Sequence, residues 1–128
     1  MARVLIIDDD VTLRQVLTKH LEHAGHEVRQ AADGTAGVRA YERHAADLVI
    51  VDIFMPGQGG LQTIGRLRHE WPGVKILAMS GTKSAGALDV AGHATSLGAD
   101  RFITKPFEAA ELLELIRTML TERTAPPP

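Results

Sequence analysis

The sequence predicts an α/β fold, a doubly wound parallel sheet of five strands covered by helices on both faces. Three observations carry this. Short apolar runs without alternation, such as Val4-Leu5-Ile6-Ile7 and Leu48-Val49-Ile50-Val51, suit strands buried on both faces of a parallel sheet. Between such runs lie segments whose apolar residues recur at helical spacing. The connections are short, so the two patterns alternate along the whole chain.

Taken in order, residues 4–7 form the first strand, which runs into Asp8-Asp9-Asp10. Leu13, Val16, Leu17, Leu21 and Ala24 give the first helix its apolar face, with Asp10 as N-cap and Gly25 closing its C-terminus. Residues 27–31 read as a weak strand near an edge. Asp33-Gly34 is a turn or helix start, and Val38 and Tyr41 mark a second helix that fades near His44. Residues 48–52 form the third strand, and 57–60, rich in glycine, a flexible loop. Leu61, Ile64 and Leu67 mark a third helix that Trp71-Pro72-Gly73 ends. The fourth strand covers 75–80 and ends in a hydroxyl. Residues 81–86 are a polar loop, and a fourth helix over 87–97 is weakened by Gly92 and Thr95. This helix is expected to be short, shifted or mobile. Residues 101–104 form the fifth strand, followed by Lys105-Pro106. Leu112, Leu113, Leu115, Ile116, Met119 and Leu120 mark the last helix. The fold is thus expected to fill residues 1–121, with 122–128, ending in three prolines, as a flexible tail or the start of a linker.

Composition bounds the function. At 128 residues the chain suits one domain, and its 45% hydrophobic and 23% charged content is ordinary for a globular protein. A net charge of -2 gives no basic footprint for nucleic acid or for a membrane surface. The absence of cysteine excludes disulfides, thiol catalysis and thiolate metal sites. No apolar run spans a bilayer and no signal-peptide pattern opens the chain, so a cytoplasmic location is the expectation.

In a parallel sheet the C-terminal ends of all strands lie on one rim, where open α/β sheets bind ligands. Here that rim collects Asp8 and Asp9, Asp52, Ser80 and Lys105. Singly, each has an ordinary role: a turn carboxylate, a loop-capping hydroxyl, a solvated lysine. Together they are specific. Clustered carboxylates repel one another unless a positive charge joins them. Lys105 is one candidate and a divalent cation another. Oxygen donors without His or Cys favour a hard ion, and Mg²⁺ keeps coordination positions open for a phosphate oxygen. Such a rim is equipped to hold a phosphoryl group, with Asp52 as the nucleophile that forms an aspartyl phosphate. Other features have plainer readings. The glycines of 57–60 lack the spacing of a phosphate cradle. His20, His23 and His26 are solvated rather than a metal stripe, because Gly25 interrupts the helix. Glu108, Glu111, Glu114 and Arg117 form a wet face of the last helix.

Four motifs, Val4-Leu5-Ile6-Ile7-Asp8-Asp9-Asp10, Val51-Asp52-Ile53-Phe54-Met55-Pro56, Met79-Ser80-Gly81 and Thr104-Lys105-Pro106-Phe107, closely resemble the receiver domain of bacterial two-component response regulators, the chemotaxis-regulator type. The resemblance runs from Arg3 to Leu120. It implies a flavodoxin-like strand order, 2-1-3-4-5, which periodicity alone does not decide. It implies that Asp52 accepts phosphate from a phosphohistidine on a sensor histidine kinase or a histidine phosphotransfer protein. Asp9 would bind Mg²⁺ directly, Asp8 mostly through a bound water, and Asp52 and the backbone carbonyl of Phe54 would complete the ligands. Ser80 and Lys105 would hold the phosphoryl oxygens. Phe102, on its residues alone a core aromatic, matches the family's switch residue. The Lys105-Pro106 bond would be cis. A downstream protein would read the face made by the fourth helix, fifth strand and fifth helix, with no nucleic-acid contact by this chain.

Gly59 stands where the family often has Asp, and Phe54 and Thr82 occupy positions that tend to tune dephosphorylation. The expected role is a self-catalysed phosphoacceptor switch, not a turnover enzyme. Three rivals differ in chemistry. A phosphohydrolase with an aspartyl-phosphate intermediate typically carries a second acid two residues past the nucleophile, where this chain has Phe54. A flavodoxin-like cofactor binder needs a phosphate loop after the first strand, where this chain has three acids. A scaffold would keep the fold and never become phosphorylated.

Overall fold

The structure, a computed structural model, describes residues 2–54, 59–81 and 94–121. The apolar runs become strands β1 (Arg3–Ile7), β2 (Glu27–Ala31), β3 (Leu48–Asp52), β4 (Ile76–Gly81) and β5 (Arg101–Lys105). They pair in parallel in the order β2-β1-β3-β4-β5, so the weak second strand does lie at an edge. The helices are α1 (Val11–His23), α2 (Gly34–Arg43), α3 (Gly60–Glu70) and α5 (Ala109–Thr121); residues 94–97 are helical and are labelled α4. The expectations for residues 55–58, for 82–93 and for the tail 122–128 lie outside the described residues. Among the described residues no helix is long and apolar enough to cross a membrane.

Strand alternation divides the core in two. Leu5, Ile7, Val49, Val51, Ile76 and Ala78 pack on one face with Val38, Ile64 and Leu67 of α2 and α3. Val4, Ile6, Leu48, Ile50, Leu77 and Met79 pack on the other with Leu17, Leu21, Leu112 and Ile116 of α1 and α5. Both faces of the central strands are therefore dry, which is why these strands show no polar alternation.

The caps follow the sequence. The side chains of Asp10 and Asp33 accept from Leu13 N (3.1 Å) and Ala36 N (2.8 Å) at the starts of α1 and α2. Gly25, at φ +97°, ends α1: its N–H donates to Glu22 O and that of His26 to Leu21 O, the paired bonds of a left-handed C-terminal cap. Beyond α3, Arg68 ties three segments. Its guanidinium donates to Gly98 O, to Pro72 O and to Asp100 Oδ2, and that same Asp100 oxygen accepts from Ile76 N at the start of β4.

Some details depart from the sequence reading. Val16 is 44% exposed, because it sits about 100° around the helix from Leu17, whose line with Leu13 and Leu21 faces the sheet. Ala24 is exposed as the C-cap of α1. Lys75 precedes β4 rather than opening it, and its ammonium donates to Met119 O near the end of α5 (2.6 Å). Lys105 belongs to β5. Gly60 is not loop but the first residue of α3, where a Cβ would fall 2.1 Å from the carbonyl oxygen of Asp52.

That approach gives a prediction. Alanine in a helix is ordinarily better than glycine by about 1 kcal/mol. At position 60 the sign reverses, and Gly60→Ala is expected to lower stability by roughly 2 kcal/mol through overpacking against backbone. Gly59, the N-cap of α3, has open space around its Cα and no side-chain cap, so Gly59→Asp is expected to raise stability by a few tenths of a kcal/mol. Urea unfolding of both variants checks the pair; a stabilised Gly60→Ala would contradict the contact.

Candidate functional site

β1 and β3 are neighbours in the middle of the sheet, and each stays buried up to the residue that carries its charge. Asp8 follows β1 and is fully buried; Asp52 ends β3 and is 5% exposed. Strand parity puts Asp8 and Asp52 on the α1/α5 side, in phase with Ile6 and Ile50, and Lys105 joins them there in phase with Ile103. The Lys105 ammonium lies 3.3 Å from Asp52 Oδ2 and 3.6 Å from Asp8 Oδ2. Asp9 is exposed beside them. One carboxylate oxygen from each of Asp8, Asp9 and Asp52 lies within 4.8 Å of the others.

The first two acids are fixed by the chain around them. The Asp8 N–H extends the ladder to Ala31 O (3.1 Å), and Asp8 Oδ1 accepts from Asp10 N (2.9 Å). Asp52 Oδ1 accepts from Phe54 N (3.1 Å), a short-range turn that aims the carboxylate back across the strand end. Arg14 on α1, which sequence reasoning passed over, donates to the carbonyl of Asp8 (2.5 Å). Its place one turn after the N-cap was the available signal.

The electrostatics are unbalanced. Burial, followed by the negative charge of Asp52, raises the Asp8 carboxyl from 3.8 to about 6, against the opposing pull of the Asp10 N–H and of Lys105. Asp8 Oδ2 has no hydrogen-bond partner. Three carboxylates face one ammonium, which leaves the charge that one divalent cation would neutralise. The donors are all oxygen, with no His among them, so the set fits a hard ion.

By strand parity Ser80 and Phe102 fall on the other face of the sheet from Asp8, Asp52 and Lys105. Ser80 is fully buried, and its hydroxyl donates to Gly81 O (3.3 Å), not to Asp52. Parity puts it on the α2/α3 side, in phase with Ile76 and Ala78. Phe102 is half-buried on that same side, paired in register with Ala78. The Phe54 side chain is 52% exposed. The Lys105-Pro106 bond is cis, as expected. His20 and His23 are exposed, whereas His26 is half-buried and its Nδ1 accepts from Ala2 N (3.3 Å). Glu111, Glu114 and Arg117 are exposed on α5, where Arg117 pairs with Glu114, and Glu108, also exposed, lies just before the helix rather than on it.

Residues 4–117 match the family model of the response regulator receiver domain. The chain is 38% identical over 115 residues to the response regulator protein FleR of Pseudomonas aeruginosa, covering 90% of this chain and 24% of that protein. It is 34% identical over 125 residues to the DNA-binding transcriptional regulator NtrC of Azospirillum brasilense, covering 98% of this chain and 25% of that protein. The chain spans about a quarter of the length of these two relatives. Among solved structures, the receiver domain of NtrX from Brucella abortus superposes with a TM-score of 0.85 at 31% identity, covering 91% of this chain and 97% of that one. A CheY-like response regulator receiver domain protein from Methanospirillum hungatei superposes with a TM-score of 0.87 at 31% identity, covering 94% of each. With its five-stranded flavodoxin-like sheet and a family match over most of its length, this chain belongs to the response regulator receiver domains of two-component systems.

Proposed function

We propose that this receiver is a phosphorelay switch in which Asp52 takes a phosphoryl group from a phosphohistidine on a sensor histidine kinase or a histidine phosphotransfer protein. The observation that carries the reading is the placing of Asp8, Asp9, Asp52 and Lys105 around one point of the rim. An Asp52 carboxylate oxygen attacks phosphorus, the phosphorus–nitrogen bond of the donor breaks, and the imidazole leaves with its electron pair. The product is an acyl phosphate on Asp52. Lys105 already touches both buried acids and turns its charge toward the transferring oxygens. Asp8, Asp9, Asp52 and the backbone carbonyl of Phe54 would hold Mg²⁺, which when bound supplies the positive charge that the group's oxygens need. Ser80 donates to a phosphoryl oxygen once its hydroxyl leaves Gly81 O, and Phe102 responds on the same face of the sheet. A downstream protein reads the resulting change through α4, β5 and α5. The protein acts as a self-catalysed phosphoacceptor: at position 54, where a hydrolase of this chemistry would place a second acid, the chain offers an apolar ring.

Two experiments test this. Incubation with acetyl phosphate and Mg²⁺, followed by intact mass, is expected to add one phosphoryl group to the wild-type protein and none to Asp52→Asn. Unchanged mass in the wild type, or equal labelling of both, would remove the reading. The second uses the sign of the Asp8 shift. Its folded value, about 6, lies above the unfolded 3.8, so the folded state holds the extra proton and metal-free stability falls as pH rises between them. At pH 7 without metal, Asp8→Asn is expected to be more stable than wild type by roughly 1–3 kcal/mol, with the gap closing below pH 4. Mg²⁺ is expected to stabilise the wild type and not the variant. Thermal or urea unfolding with and without chelator reads both effects.

A further inference from the structure

Among the described residues, Arg14 is a cationic side chain near the acid rim whose hydrogen bonds go only to neutral oxygens. It is half-buried, one turn beyond the N-cap of α1. Its Nη1 donates to the main-chain carbonyl of Asp8 (2.5 Å) and its Nε to Gln30 Oε1 on β2 (3.2 Å). A guanidinium beside carboxylates ordinarily takes one of them in a charge-assisted pair. Three aspartates occupy the turn just before α1, yet among the described residues Arg14 pairs with none.

We propose that Arg14 is a positioning residue for the cation-binding acids, pinning the peptide between Asp8 and Asp9 so that the Asp9 carboxylate is held beside those of Asp8 and Asp52. This rests on the reading of these acids as a Mg²⁺ site. The physical basis is the planarity of the peptide unit. The Asp8 carbonyl and the Asp9 N–H belong to one rigid plane, so fixing the direction of the carbonyl fixes the entry to the Asp9 Cα. Asp8 needs no such help: it is buried, its N–H is in the ladder to Ala31, and its Oδ1 accepts from Asp10 N. Asp9 does, because it is exposed and its side chain has no hydrogen bond among the described residues. Its backbone is what places it. Gln30 orients the guanidinium in turn, which links the acid rim to the edge strand β2. By spending its charge on neutral oxygens, Arg14 also leaves the carboxylates to other cations.

The test is metal affinity without any phosphodonor, read by electron paramagnetic resonance of free Mn²⁺ and by its displacement with Mg²⁺. Outer groups that orient metal ligands typically change affinity 10–100-fold when removed. Arg14→Met is expected to weaken Mn²⁺ binding by about tenfold. Arg14→Lys, which keeps one donor for the Asp8 carbonyl, is expected to recover part of that loss. Gln30→Leu, which leaves Arg14 in place without its second acceptor, is expected to fall between wild type and Arg14→Met. Leu17→Ala, a destabilising change in the buried face of the same helix, serves as the control and is expected to keep wild-type affinity. Binding by Arg14→Met within twofold of wild type would overturn the proposal, and so would an equal loss in Leu17→Ala. A wild-type protein that bound neither ion would instead overturn the metal reading on which it rests.

Discussion

Two buried carboxylates share one ammonium, and most of the site follows from that. Asp8 is fully buried, Asp52 nearly so, and among the described residues Lys105 is the only cation paired with either carboxylate. A buried charge left without a partner costs several kcal/mol, so neither acid could sit where it does without Lys105 nearby. Yet one positive charge does not balance two negative ones at these distances. The raised carboxyl of Asp8 and its unpartnered oxygen are the two signs of that deficit. On the proposed reading, the arrangement receives a cation first and then a phosphoryl group on Asp52. A rim that was fully satisfied in isolation would have little affinity for either.

The fold tolerates this because its stability is assembled elsewhere. Several devices that lock the chain sit at the opposite ends of the strands. The left-handed cap at Gly25 closes α1 before β2. Arg68 binds the end of α3 to the residues entering β4 and β5, through Asp100 and Gly98. Lys75 caps the end of α5 through Met119 O. Tyr41 and Trp71 pack at a tilt, ring centres 4.8 Å apart, between α2 and the end of α3. Between the two rims lie two dry layers of aliphatic residues. The C-terminal rim can therefore carry crowded charge without the sheet losing its register.

Much of this was legible in the residues. β2 and β3 fall where their apolar runs and turn residues put them, and Asp10, Asp33 and Gly25 act as the caps their types suggest. The converging acids and lysine were readable because a parallel sheet has only one C-terminal rim. Period-two counting would have gone one step further, since Asp8, Asp52 and Lys105 share one face and Ser80 and Phe102 the other. What was not legible depended on tertiary neighbours. Gly60 reads as loop because glycines surround it, and only the packed carbonyl of Asp52 explains why it must lack a side chain. Val16 reads as core because nothing in the spacing shows which line of α1 meets the sheet. Arg14 drew no reading from the sequence, and only the folded chain sets its guanidinium against the Asp8 carbonyl.

The parity of Ser80 bears on how large a signal this rim can send. Its hydroxyl is held by a long bond to a neutral carbonyl, on the face of the sheet away from Asp52. Such a bond contributes about 0.5–1.5 kcal/mol net, and a charge-assisted bond to a phosphoryl oxygen is roughly twice as strong. On the proposed reading, exchanging one for the other favours the switched state by about 1 kcal/mol, or about fivefold in population. That is far short of the four decades that separate a fully off from a fully on equilibrium. The remainder has to come from Lys105, freed from sharing two acids, and from the repacking of Phe102 beside Ala78. On that reading the Ser80 exchange alone biases the switch and does not lock it. Its resting population would then be set by how well Phe102 packs on the α2/α3 face, independently of the chemistry at Asp52.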